Sequence, residues 1–121
     1  MPRPVLPEDQ IHAAIRPRVA AYQLTIVQEV QAAAARHAVL VIGMRQNPFP
    51  RRARKLLTAA GIDHHYLEYG SYFSQWSRRG ALKMWTGWPT LPMVFVKGML
   101  VGGADDLKRL IDSGEMQRLL A

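Results

Sequence analysis

Trp88-Pro89-Thr90-Leu91-Pro92-Met93-Val94-Phe95-Val96-Lys97-Gly98-Met99-Leu100-Val101-Gly102-Gly103-Ala104-Asp105-Asp106-Leu107 is the stretch that decides the fold. Pro92 sits just ahead of the apolar run Met93 to Lys97, which reads as a strand. Gly98 makes a tight turn, and Met99 to Val101 pairs back as a hairpin. Gly102-Gly103 leads into a helix from Ala104 to Ile111. Asp105 and Asp106 at its start suit the helix dipole and supply N-cap oxygens.

Upstream, Ala38-Val39-Leu40-Val41-Ile42 is a continuous apolar run rich in β-branched residues, the pattern of a buried central strand. Arg45 to Pro50 reads as a loop, because it holds two prolines. Arg51 to Ala60 follows as a helix with Ala53, Leu56, Leu57 and Ala60 on its buried face, and Gly61 stops it. His64 to Glu68 is a second strand, parallel to the first through a right-handed crossover. Ser71 to Trp85 is a helix, with an interruption expected at Gly80. A last short helix runs from Gly114 to Leu120. At the other end, Met1 to Pro7 reads as a tail. Glu8 to Arg36 is mostly helical, with Ile11, Ile15, Tyr22, Ile26, Val27 and Val30 at helical spacing. Pro17 is expected to break that segment in two. The order α, β, α, β, α, β, β, α, α predicts an α/β domain over residues 8–121, a four-stranded mixed sheet with helices on both faces. Residues 8–36 form an N-terminal helical extension and 38–120 the core.

Nearly half of the 121 residues are hydrophobic, which supports a packed core and argues against a disordered chain. There is no cysteine. Disulfides, thiolate metal sites and cysteine nucleophiles are therefore excluded. No leader pattern and no run near membrane-span length appears, so a cytoplasmic protein without a membrane partner is expected. The net charge of +7 raises the question of an anionic partner. The charges are clustered, without the aromatic-basic interleaving of a base-stacking platform, which disfavours nucleic acid. His64 and His65 point to opposite faces of a strand, and His12 and His37 lie apart, so no metal site is expected. Ser71, Ser74, Ser77 and Ser113 lack a nucleophile-elbow context.

The stretch 88–107 resembles monothiol glutaredoxins, which carry a similar W-P-T-x-P run followed by G-G-x-D. The resemblance extends over about residues 39–120 and implies a thioredoxin-like fold. It also implies a glutathione site. Pro92 is expected in the cis form, with Leu91 and Thr90 offering backbone hydrogen bonds to a peptide-like ligand. Gly103, Ala104 and Asp105 correspond to the γ-glutamyl site, Asp105 facing the ligand ammonium. Arg79 and Lys83 correspond to residues that hold the glycine carboxylate, and Trp88-Pro89 to the pair beside the ligand. The family's redox tetrad is replaced by Asn47-Pro48-Phe49-Pro50, with Asn47 where the nucleophilic cysteine stands and Pro50 where the resolving one stands. Met44 or Arg45 replaces the lysine that precedes the cysteine in monothiol members.

The chemical consequence is direct. Thiol–disulfide exchange needs an attacking thiolate, and a carboxamide cannot replace it. Ligating an iron–sulfur cluster at this position needs a thiolate as well. No catalytic residue is therefore assigned. Arg51, Arg52, Arg54 and Lys55 crowd the first turns of a helix, where positive charge opposes the dipole. An anion held by Asn47, Arg51 and Arg52 would relieve them. Three readings follow. The first is a pseudoenzyme that binds glutathione or a peptide non-covalently, or docks an unidentified protein partner. The second is a glutathione-dependent oxidoreductase or transferase that uses the bound ligand's thiol. The third is a basic module for nucleic acid or an acidic protein.

Overall fold

The computed structural model describes residues 2–121. A short 3-10 turn at Glu8–Gln10 precedes α1 (Arg16–Ala21) and α2 (Leu24–Arg36). Then come β1 (Val39–Gly43), α3 (Pro48–Ala59), β2 (His65–Glu68), α4 (Trp76–Thr86), β3 (Met93–Val96), β4 (Met99–Gly102), α5 (Ala104–Asp112) and α6 (Glu115–Leu120). The four strands form one sheet in the order β2-β1-β3-β4. β1 and β2 run parallel, with Leu40 opposite His65. β3 is antiparallel to β1, with Ile42 opposite Met93, and to β4. Lys97 and Gly98 turn the hairpin, both with positive φ (50° and 80°), as two-residue hairpins require. This is the α/β sheet that the sequence predicts, with helices on both faces.

The pleat divides the core in two. Leu40, Ile42, Met93 and Phe95 face one side and pack with Ile26 and Val30 of α2 and Leu82 of α4. Val39, Val41, Val94 and Val96 face the other and pack with Leu57 of α3, Leu107 of α5 and Met116 of α6. The alternation follows from the two-residue period of a strand. Ile26 and Val30 are fully buried, each worth about 1.5–3 kcal/mol of transfer free energy. α2 is thus half of one helical layer.

Several boundaries differ from the sequence expectation. α3 begins at Pro48, not Arg51, and the expected loop shrinks to Met44–Asn47. Both prolines fall in its first turn, where an amide has no helical partner to lose. Pro17 likewise occupies the first turn of α1 and breaks nothing. The break lies at Gln23, whose φ of 47° reverses the chain between α1 and α2. α4 begins at Trp76, five residues later than expected. Gly70 and Gln75 both have positive φ (69° and 56°). The Ser74 hydroxyl accepts from Ser71 N–H at 3.0 Å. Such local bonds compete with a helix. Gly80 does not interrupt α4, at the usual cost of about 1 kcal/mol relative to alanine.

Candidate functional site

One end of the sheet gathers the residues singled out by the sequence. The C-terminal ends of β1 and β4 and the N-terminal end of β3 meet there, because β3 runs against both neighbours. They border a cleft of about 280 Å³ lined by Phe49, Trp88, Thr90, Leu91, Pro92, Gly103, Ala104, Asp105 and Asp106. Neither α1 nor α2 contributes a lining residue, so the N-terminal helices leave it open.

One wall is the start of α3. Asn47 is its N-cap, and its Oδ1 accepts from Phe49 N–H at 3.0 Å. Pro48 and Pro50 have no N–H, so Phe49 carries the only amide in the first three helical positions, and that amide is already capped. Of the residues expected to hold an anion, Asn47 is therefore engaged as the cap of this helix start, while Arg51 and Arg52 share a separate shallow groove on the outer side of α3. Arg51 is exposed, and it borders the groove with Lys55. Arg52 borders that same groove and pairs with Asp105 of α5 (Nη1 to Oδ1, 2.5 Å). Pro50 is buried. A Cβ on Gly43 would lie 2.6 Å from the Pro50 Cβ and 2.7 Å from the Tyr66 hydroxyl. The position of a resolving cysteine is thus a proline plug seated on β1.

The other wall is built differently. The Leu91–Pro92 peptide is cis. The Leu91 side chain is buried in the core. Its own N–H and C=O make no hydrogen bond with the described residues, so both are available to a ligand. Trp88 Nε1 is buried and also lacks a protein partner. A Cβ on Gly103 would project to 3.6 Å from the Pro92 carbonyl oxygen and 3.8 Å from Trp88 Nε1. The space at this wall exists because that residue has no side chain. Asp106 accepts from Gly103 N–H at 3.0 Å and pairs with Arg109 at 3.1 Å. It performs the N-terminal capping of α5 and leaves Asp105 facing outward, two-thirds exposed at its side chain.

Thr90, Leu91, Pro92, Gly103, Ala104 and Asp105 thus come together as expected. Arg79 and Lys83 do not join them. Arg79 is buried on α4 at 6% exposure. Its guanidinium donates to the Tyr69 carbonyl oxygen at 2.8 Å and the Ser74 carbonyl oxygen at 2.5 Å. Helical spacing puts Arg79 and Lys83 near one another, but Arg79 turns into the fold while Lys83 stays only partly buried. Arg79 anchors the loop before its helix, and Lys83 lines no part of the cleft. The sequence reading missed Phe49 as a lining residue and left open which of Asp105 and Asp106 is the cap. The spacing of Gly103 and Asp106, N-cap to third helical position, was the available signal for the latter.

Elsewhere, burial and the adjacent Glu68 push Tyr66 up to about 12. Burial and a bond to Glu29 raise Tyr69 as well. Neither hydroxyl reaches the cleft. Among the described residues, no three His, Asp or Glu side chains converge as metal ligands, and no helix is long and apolar enough to cross a membrane. An iron–sulfur cluster does not fit this donor set, because the chain has no thiolate to offer.

The sequence model of the glutaredoxin family matches residues 39–101. A glutaredoxin-like protein of Dictyostelium discoideum is 43% identical over 95 residues, covering 78% of this chain and 77% of that protein. A probable monothiol glutaredoxin of Legionella pneumophila is 32% identical over 77 residues, 64% of this chain and 83% of that protein. The structure of a buckwheat glutaredoxin–glutathione complex superposes with a TM-score of 0.73 at 23% identity, over 83% of this chain and 91% of that one. That likeness speaks for the fold, and the two sequence matches speak for descent. The cleft between a helix start and a cis-proline strand thus lies where those matches run, and the chain belongs to the glutaredoxin family as a member without cysteine.

Proposed function

We propose that this protein binds glutathione, or a peptide that presents the same backbone and γ-glutamyl groups, non-covalently and without thiol–disulfide turnover. The observation that carries this reading is the free backbone N–H and C=O of Leu91 beside cis Pro92. An extended ligand backbone would pair with both groups, as a short added strand does. The buried, unpartnered Trp88 Nε1 and the open wall at Gly103 support it, since an orphaned buried donor costs free energy until something accepts from it. The buckwheat relative was captured with glutathione. The ligand's carboxylate would approach the start of α5, and its ammonium would exchange with Arg52 for Asp105. An exposed pair of this kind is worth only about 0–1 kcal/mol, so the exchange costs little. No side chain here supplies the sulfur for exchange, and the carboxamide oxygen of Asn47 is already engaged as a helix cap.

Isothermal titration with reduced glutathione, and with glutathione sulfonate as an unreactive anion, tests the reading. Saturable binding of both is expected, with Asp105→Ala weakening it about fivefold, in proportion to an exposed charged contact. A disulfide-reduction assay on the same samples is expected to stay at the uncatalysed rate. Absence of binding up to millimolar ligand by the folded protein would overturn the proposal.

A further inference from the structure

The exposed apolar side chains of this molecule are not scattered. Among the described residues, eight of the twelve large hydrophobic side chains that stand exposed lie on α1, the start of α2, α4 and the loop before α4. Val19, Tyr22 and Met84 line two adjoining shallow clefts between these helices, with Ile15 and Leu24 at their edges. Trp76, Gly80 and Met84 recur at four-residue spacing and share one face of α4, and Gly80 has no side chain to interrupt it. Gln23 Nε2 lies 3.5 Å from Ser77 Oγ, which ties the start of α2 to the first turn of α4. The face ends on the loop Ser71–Gln75, where Phe73 is 90% exposed and Trp76, just beyond, 72%.

That projection is built into the fold. Buried Arg79 clamps the carbonyl oxygens of Tyr69 and Ser74 on either side of the loop, and Ser71 and Ser74 are hydrogen-bonded across it. Phe73 therefore stands on a braced, convex point, where a concave peptide groove would leave it unused. The charge around the face is mainly positive. α1 and α4 present Arg16, Arg18, Arg78 and Lys83 and no carboxylate, with Arg79 buried and Arg78 paired to Glu29 of α2 at 3.5 Å. Arg18 lines the cleft beside Met84 and has no ion-pair partner among the described residues. A second copy would set these cations against their own kind.

We propose that the face formed by α1, α4 and the Phe73 loop docks reversibly on the surface of an anionic lipid bilayer. Projecting aromatic and apolar side chains enter the headgroup region, and arginine and lysine meet the lipid phosphates and carboxylates. No spanning segment is involved. The proposal replaces the expectation of no membrane partner, which rested on hydropathy along the chain. It is independent of ligand binding, because none of these residues lines the Leu91–Gly103 cleft.

Vesicle flotation, with tryptophan emission read on the same samples, tests it. The protein is expected to float with phosphatidylcholine–phosphatidylserine vesicles and not with phosphatidylcholine alone, with emission shifted to the blue. Replacing Phe73→Ser and Trp76→Ser together is expected to lower partitioning roughly tenfold or more. Arg18→Glu, a change on another element, is expected to lower it about tenfold. All three side chains are exposed or at the rim, and circular dichroism confirms the fold of each variant. Wild type that stays with the aqueous phase, or variants that float like wild type, would overturn the proposal. So would lipid-free dimerisation abolished by Phe73→Ser, which assigns the face to a second copy. Release of bound protein by a single-stranded oligonucleotide would assign the aromatics to base stacking and overturn it too.

Discussion

The two walls of the cleft have diverged in opposite directions. At the start of α3, every group that a family member would use has been satisfied internally or removed. Asn47 caps Phe49, Pro48 and Pro50 remove two amides, and Pro50 fills the space above Gly43. At Leu91–Pro92 and Gly103, backbone groups and a buried indole N–H remain without partners. A buried polar group left unpaired costs about 1–3 kcal/mol. A wall with no ligand to serve would gain stability by closing. The contrast teaches that loss of the chemistry and closure of the cleft are separable: the thiol is gone from one wall, while backbone and indole groups on the other keep no protein partner.

The strongest way to break that contrast is to return a thiol to the closed wall. Asn47→Cys places sulfur at a helix N-cap beside a freed Phe49 N–H, an environment that lowers a thiol below its ordinary value near 8.5. The variant is expected to react with iodoacetamide at pH 7 at least tenfold faster than free cysteine, and to form a mixed disulfide with oxidised glutathione. Reaction at the rate of free cysteine would mean that this wall has lost its electrostatics along with its sulfur. Next in size is Arg79→Met, which strands two carbonyl oxygens inside the protein. It should cost about 3 kcal/mol in denaturant unfolding and leave glutathione affinity unchanged. Weaker binding at full stability would restore Arg79 to the ligand, as the family resemblance implies.

Asn47→Ala removes the cap alone. About 1 kcal/mol of stability should be lost, again with ligand affinity unaffected, because Asn47 serves the helix and not the cleft. Arg52→Gln acts on an ion pair that joins α3 to the start of α5. It frees Asp105 from its 2.5 Å ion pair, so calorimetry should show tighter binding of a ligand ammonium, by at most about fivefold given the exposure of the pair.

The smallest effect concerns the far end of the sheet. The His37 and His65 rings stack there at 4.1 Å. Burial, then the neighbouring His65 and Arg36, hold His37 below its ordinary 6.5. The unfolded chain therefore binds a proton there more readily than the native one. The His37 contribution to stability is fully present above about pH 6.5 and is lost as the pH drops through the lowered native value. Urea unfolding between pH 7.5 and 5 should show that decline, and His37→Gln should flatten it. A decline that persists in the variant would assign the slope to other groups.

How far this was legible depends on the kind of information each feature needs. The strands and their order could be read because β-branched runs and a proline–glycine frame signal them locally. Thr90, Leu91, Pro92, Gly103 and Ala104 could be grouped in one cleft because their positions rest on backbone geometry, which a motif carries. Helix starts were the weak point. Pro17, Pro48 and Pro50 look like breakers in a linear reading, and the same rigid φ suits a first turn once the helix is known to begin there. Arg79, which lies outside the cleft, could not be placed for a different reason. Spacing four residues from Lys83 says that two cations are near each other, and says nothing about whether the helix face they share looks at solvent or at the next layer.

Two conclusions came from the sequence by itself. With no cysteine anywhere in the chain, neither thiolate attack nor thiolate ligation is open to the protein, and folding cannot create a missing atom. The family, too, is written in the spacing of its motif. Only the tertiary structure decided which polar groups are free. Asp105 meets Arg52 from another helix, Leu91 ends beside an open cleft, and exposed hydrophobic side chains from separate segments (Ile15, Val19, Tyr22, Leu24 and Met84) line adjoining clefts. The physical reason is that satisfaction and exposure are properties of three-dimensional neighbours, and residues 53 positions apart along the chain, such as Arg52 and Asp105, meet only when the sheet brings their helices together.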